Sequence, residues 1–335
     1  MSFKRFDPED FVVSSDSITS TLWSNGIPTL STFFTNSIQE ASSAGNYYLS
    51  IYNTSSANQE VQFDIVYCDS EGSGSEWFNA IVPNVSPTKT MYGQYRALIL
   101  EDENASFTFG KGNNVLTGSN FWVLSIERAR YKQSLFPGSL NLTISGSGGI
   151  INLTDDSQDN PVNTFIGSSR VFQLISGSNG TAGTLPNSGY VSNSGSYGLV
   201  FPDLGTIILN PQAISQSINV APSRSNNSDG LNNKTLFNAI NLGASFALNS
   251  EETITSDYVF VRARNSEFNY SENPSFISGS TGEVIYDNFI NAPQVYVTTV
   301  GMYNDSNELL AVAKMSRPLL KDFTKEALVR VKLDF

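Results

Sequence analysis

The side chains of this chain that could do chemistry are carboxylates. They gather as Asp69, Glu71 and Glu76, as Glu101-Asp102-Glu103, as Asp155, Asp156 and Asp159, and as Glu251-Glu252. A glycosidase-type pair is the enzymatic reading they allow, and it needs one carboxyl kept neutral in an apolar pocket. None of these groups has obvious apolar neighbours in sequence. The expectation is therefore solvated loop acids and no catalytic residue. Asp155, Asp156 and Asp159 are also a calcium candidate, because calcium takes carboxylate and amide oxygens, although their spacing matches no EF-hand loop.

Other chemistry is removed by composition. The chain has no histidine and one cysteine, Cys68. Ser-His-Asp and Cys-His catalysis, imidazole zinc sites and an intrachain disulfide framework are thereby excluded. Gly146, Gly148 and Gly149 are followed by no helix, and Gly110-Lys111-Gly112 lacks the Lys-Ser/Thr of a nucleotide loop. Both read as turns, not phosphate cradles. No cofactor is expected.

Charge narrows the partners. Nineteen Lys and Arg face 31 Asp and Glu, a formal net charge of −12. That balance argues against binding a phosphate backbone or an anionic membrane surface. No apolar run reaches transmembrane length, so no membrane insertion is expected. At the N-terminus a basic pair is followed by Asp7, Glu9 and Asp10, where the apolar core of a signal peptide would sit. The chain is expected to be made without export.

The elements that must carry these residues read as β. Short runs rich in Val, Ile, Tyr, Phe and Thr are punctuated by Gly, Asn, Ser and Pro, the pattern of sandwiches and barrels. The 22 Phe and 14 Tyr argue against disorder. Residues 47–52 and 61–67 read as a hairpin, with Val61, Phe63, Ile65 and Tyr67 turned to one core. Further strands are expected at 94–100, 105–109, 121–127, 171–175 and 205–210. Helix is scarce, with one candidate at 234–242, capped by Asn232-Asn233 and closed by Gly243. The fold class is all-β: two or three sandwich- or barrel-like modules with long polar loops and very little helix. Composition divides the chain into an N-terminal module at 1–132, a Ser/Asn/Gly-rich middle module or insertion at 133–250, and a C-terminal module at 251–335. In the last, 304–307 is turn chemistry within a hairpin at 295–314, and an alternating terminal strand occupies 327–335.

Two features point to assembly. Phe3, Phe6, Phe323 and Phe335 place large apolar groups near both ends. The last 22 residues also hold six of the 19 basic side chains, Arg330 and Lys332 among them, on an otherwise acidic chain. Such a tail can complement acidic patches on other copies. Phe3, Phe6, Phe323, Arg330, Lys332 and Phe335 are the candidate assembly interface.

The stretches FKRFDPEDFVVSSDSI at 3–18, YYLSIYNTSSANQEVQFDIVYCDSEGSGS at 47–75 and SPTKTMYGQYRALIL at 86–100 carry a resemblance. YGLVFPDLGTIILNP at 197–211, FVRARNSEFNYSENPSFISGS at 260–280 and the whole of 293–335 continue it. They resemble a family of virion structural proteins, associated with the tail or baseplate, of large contractile-tailed bacteriophages, including phages of cyanobacteria. The resemblance implies a non-enzymatic component of the particle, most simply in the baseplate or tail appendages. Its partners would be copies of itself and other tail or baseplate proteins, and it would be made in the host cytoplasm before joining the virion. The alternatives are a surface module binding host glycans through the loops at 176–198 and 223–233, and a head-decoration protein.

Overall fold

The structure, a computed structural model, describes residues 4–36, 46–75, 86–112, 114–160, 163–183, 189–225 and 231–334. Strand accounts for 45% of it and helix for 16%, so the all-β class expected from the sequence holds. The chain divides into two compact units, one of Ile18–Glu252 and one of Met1–Ser17 with Thr253–Phe335.

The larger unit is built on one curled sheet, a half-barrel. Its path runs β2 (Thr29–Leu30), β16 (Ser245–Ala247), β9 (Asn141–Gly146), β10 (Gly149–Asp155), β12 (Ser169–Ser178), β14 (Gly198–Phe201), β15 (Thr206–Leu209), β7 (Asn120–Ile126), β4 (Val61–Asp69) and β3 (Leu49–Tyr52). Neighbours along the path are antiparallel. Short β11 (Thr164–Ile166) and β13 (Thr181–Ala182) pair with β12. Because β15 lies against β7, the sheet joins the stretches 1–132 and 133–250 that composition separates.

Strands β4, β7 and β15 are buried on both faces. Phe63, Ile65, Tyr67, Trp122, Leu124, Ile207 and Leu209 face one cluster, completed by helices α2 (Pro211–Ile218) and α3 (Leu231–Gly243). Val66, Cys68, Phe121, Val123 and Ile208 face a second, covered by helix α1 (Pro87–Leu100) and the hairpin of β5 (Phe107–Lys111) and β6 (Asn114–Gly118). Aromatic edges lock both. Phe63 meets Phe246 at 5.4 Å, and Phe107 meets Phe121 at 4.6 Å.

Two local expectations are corrected. Residues 94–100 are helical and belong to α1. Pro87 sits at the start of that helix, where its fixed φ fits and its missing N–H costs nothing. Met91, Tyr92, Tyr95 and Ile99 recur at helical spacing on the face that meets the second cluster, while Leu98 is exposed. Asn232 and Asn233 lie inside α3, not at its cap, and both are buried. Asn232 donates from Nδ2 to the carbonyls of Gly74 and Ser223, which ties the helix to two loops.

In the smaller unit β1 (Phe11–Thr21), β17 (Asn249–Ala263) and β20 (Ala327–Asp334) follow one another in a sheet. The start of β17 lies in the larger unit, where it pairs with β8 (Ser134–Leu135). Its Ser256–Ala263 stretch pairs with all of β20, so the terminal strand completes a sheet of its own chain. The expected hairpin is β18 (Val295–Tyr303) with β19 (Leu309–Lys321), a two-stranded ribbon. The core here is thin: Val259, Met302 and Val331 are buried, with Phe6, Val300, Ala311 and Ala313 packed on them. Lys321 is fully buried beside it. Its ammonium donates to Asn269 Oδ1 at 2.7 Å and to the Asn265 and Asp322 carbonyls at 3.0 Å each, which satisfies all three N–H groups. A short helix α4 (Asn288–Asn291) stacks Phe289 on Phe276 at 5.1 Å.

Phe63 is the ring on which Trp23, Phe33 and Phe246 converge. Phe63→Ala is expected to cost about 3–5 kcal/mol in urea unfolding of the larger unit. A loss under about 1 kcal/mol would contradict the packing described.

Candidate functional site

Several of the acidic groups singled out in the sequence are held by internal partners. Asp155, at the end of β10, accepts the Gly138 N–H with both oxygens at 2.9 Å and the Ser157 N–H at 3.1 Å. Burial raises its pKa, and these hydrogen bonds oppose the rise. Asp156 accepts from Lys111 Nζ at 2.6 Å, Asn160 Nδ2 at 2.8 Å and the Gln173 N–H at 2.8 Å. Asp159 is exposed and accepts the Ala182 N–H at 2.7 Å. The three carboxylates therefore staple three different segments. Among the described residues no group of three or more acidic or cysteine side chains is placed to hold a metal ion.

Asp69 is fully buried and clamped by Arg224 at 2.8 and 3.1 Å, a fork that also reaches Glu71 at 2.7 Å. Glu101 takes a left-handed backbone at the end of α1 and accepts from Ser168. Glu251 accepts from Ser134 Oγ at 3.3 Å. Glu76 lies outside the described residues.

Of the assembly candidates, Phe3 and Phe335 lie outside the described residues, as do parts of the two loops proposed for glycan contact, 184–188 and 226–230. Phe6 meets Phe11 edge-on at 5.4 Å and packs against the small core, so it serves its own unit. Phe323 is 55% exposed. Arg330 and Lys332 are brought together at one ring, with Arg330 Cζ 5.3 Å and Lys332 Nζ 6.0 Å from the Tyr258 centroid. Lys332 also pairs with Asp334 at 2.9 Å. The larger apolar surface is one that residue-by-residue reading missed. On the ribbon, the pairs Val300–Ala313 and Met302–Ala311 turn inward, which leaves Tyr303, Leu309, Leu310 and Val312 on exposed positions around its turn.

A second arrangement was also missed. In the larger unit a groove of about 310 Å³ opens between α1 and the β3–β4–β7 side of the sheet. Ser50, Asp64, Ser125 and Thr206 form a polar row across β3, β4, β7 and β15, each paired with the next. Asp64 lies on the same face as Val66 and Cys68, under Met91 and Tyr95 of α1. Its Oδ1 is buried with no hydrogen-bond partner. Burial raises the Asp64 pKa, a hydrogen bond with Ser50 opposes this, and the nearby Glu127 charge adds to the rise. The Tyr95 phenol is likewise pushed up by burial while it hydrogen-bonds Ser125. The signal in sequence was the unbroken Val66-Tyr67-Cys68 run, which requires a core on both faces of β4.

No family model matches this chain, and no curated protein or solved structure matches it either.

The raised pKa gives Asp64 a signed effect on stability. The folded state binds its proton more tightly than the unfolded chain. Stability is therefore lost as pH rises from the ordinary Asp value, about 3.9, through the raised one. Asp64→Asn is expected to melt at a higher temperature than wild type at pH 7, with the gain shrinking as pH falls through the raised pKa and vanishing below about 4. A lower melting temperature at pH 7, or a gain independent of pH, would contradict this.

Proposed function

We propose that the chain is a non-enzymatic structural component of a tailed-phage virion, in the baseplate or tail appendages, that works through subunit–subunit interfaces. The observation that carries this reading is the outer face of the β18–β19 ribbon. A two-stranded hairpin is marginal by itself in water and needs a packed apolar face. This ribbon has one such face and exposes Leu309, Leu310 and Val312 on positions away from it, at 53, 68 and 56%. A contiguous exposed apolar surface on a strand pair is a surface for another chain.

Charge supports the same reading. Arg330 and Lys332 stand exposed on β20, while the chain carries a net charge of −12. Basic side chains on an acidic protein orient a copy or a neighbour by charge complementarity, with modest energy and useful register. The sequence resemblance to virion structural proteins supplies the setting, and the engagement of the acidic groups in internal hydrogen bonds fits a part built for rigidity.

Point changes test this better than truncation. Deleting 327–335 would remove the strand that pairs with β17 and supplies Val331 to the small core. Leu310→Asp with Val312→Glu changes only exposed positions. The double variant is expected to fold with stability within about 0.5 kcal/mol of wild type per site, yet to be absent from particles when it replaces the natural chain. Normal incorporation of the folded variant would contradict the proposal.

A further inference from the structure

We infer that the Asp64 groove is a binding site for an organic cation, a primary ammonium or guanidinium group on an alkyl stem. The site lies in the larger unit and shares no residue with the ribbon.

Three observations carry the inference. The first is a demand for a donor. A buried carboxylate oxygen without a hydrogen bond is costly, and Asp64 Oδ1 is such an atom, at the wall of a groove that a small group can enter. The second is charge. Asp64 and Glu127 line the same groove and repel each other, and among the described residues no Lys or Arg forms an ion pair with either. Two buried acids elsewhere in this unit have a cation, Asp69 with Arg224 and Asp156 with Lys111. Asp155 has no cation either, but backbone N–H groups of Gly138 and Ser157 satisfy it. Asp64 Oδ1 has neither, and the negative field of the whole chain would concentrate cations at it.

The third is the composition of the walls. Val61, Val66 and Met91 give an apolar side, and Tyr48 and Tyr95 add aromatic rings. A bare metal ion would make no use of such walls. A neutral sugar would leave two carboxylates uncompensated. An alkylammonium satisfies every part: its stem lies on the apolar side, its head donates to Asp64 and Glu127, and a tyrosine face attracts the cation. The volume suits it, since about 310 Å³ is at the lower end for small-molecule sites.

The same head group can come from a free amine or from a Lys or Arg side chain of a partner protein. Titration of the full chain with n-butylammonium chloride, followed by the ring resonances of its tyrosines, tests the shared chemistry. Saturable shifts are expected, with a Kd of about 1 mM or tighter. Neutral n-butanol, which has the same stem, is expected to give none. Asp64→Asn and, independently, Glu127→Gln are expected to weaken butylammonium by about tenfold or more while leaving the circular dichroism spectrum unchanged. Tighter binding of putrescine than of a Lys-containing tetrapeptide supports the site as one for a free amine, and the reverse order supports it as one for a protein side chain. Equal shifts with n-butanol, glucose binding in place of the ammonium, or undiminished binding in both variants would overturn the inference.

Discussion

Burial of β4, β7 and β15 on both faces is the constraint from which the larger unit follows. A strand with one wet face can carry polar side chains freely, but here each must find a partner inside. Gln62 is fully buried, and its amide accepts the Ser24 N–H and donates to the Glu60 carbonyl. Asp69 takes Arg224, and the Trp122 indole donates to the Asn232 carbonyl of α3 at 2.9 Å. Asn210, at the end of β15, donates twice to the Ser194 and Ser196 carbonyls while capping α2. The polar groups of this sheet thus tie the described parts of its loops and its helices to it. Asp64 Oδ1 is one of several buried side-chain atoms without a hydrogen-bond partner, and it is the one that lines the groove beneath α1.

The smaller unit obeys a weaker constraint. Its sheet and ribbon share one thin core, and its buried cation, Lys321, is satisfied by neutral oxygens alone. Among the described residues, none covers Leu309, Leu310 and Val312 around the ribbon turn, which are exposed. The larger unit has two extensive internal clusters, while the smaller has one of three buried side chains and exposes Leu309, Leu310 and Val312 around its ribbon turn. That difference is why the assembly reading rests on the ribbon and the ligand reading rests on the half-barrel.

Much of the β framework was legible. The 295–314 hairpin was readable because 304–307 supplies turn chemistry, down to Asn307 at a left-handed φ of 61°. Alternation in 327–335 correctly set Val331 inward and Arg330 and Lys332 outward. Residues 94–100 misled because QYRALIL is apolar enough for a strand, and the helical spacing shows only when Met91 and Tyr92 are included. The groove was hidden for a related reason. Alternation along 61–67 puts Asp64 opposite the Phe63 face, and nothing local says that α1, some 30 residues on, will roof that side. Asp155 and Asp156 looked like loop acids because their partners, Gly138, Lys111 and Gln173, are distant in sequence.

Antibody labelling of intact virions, viewed by electron microscopy, tests the central claim most directly. Label at the distal tail, on the baseplate or its appendages, is the predicted result. Label over the head, or particles that carry none of this chain, would contradict it.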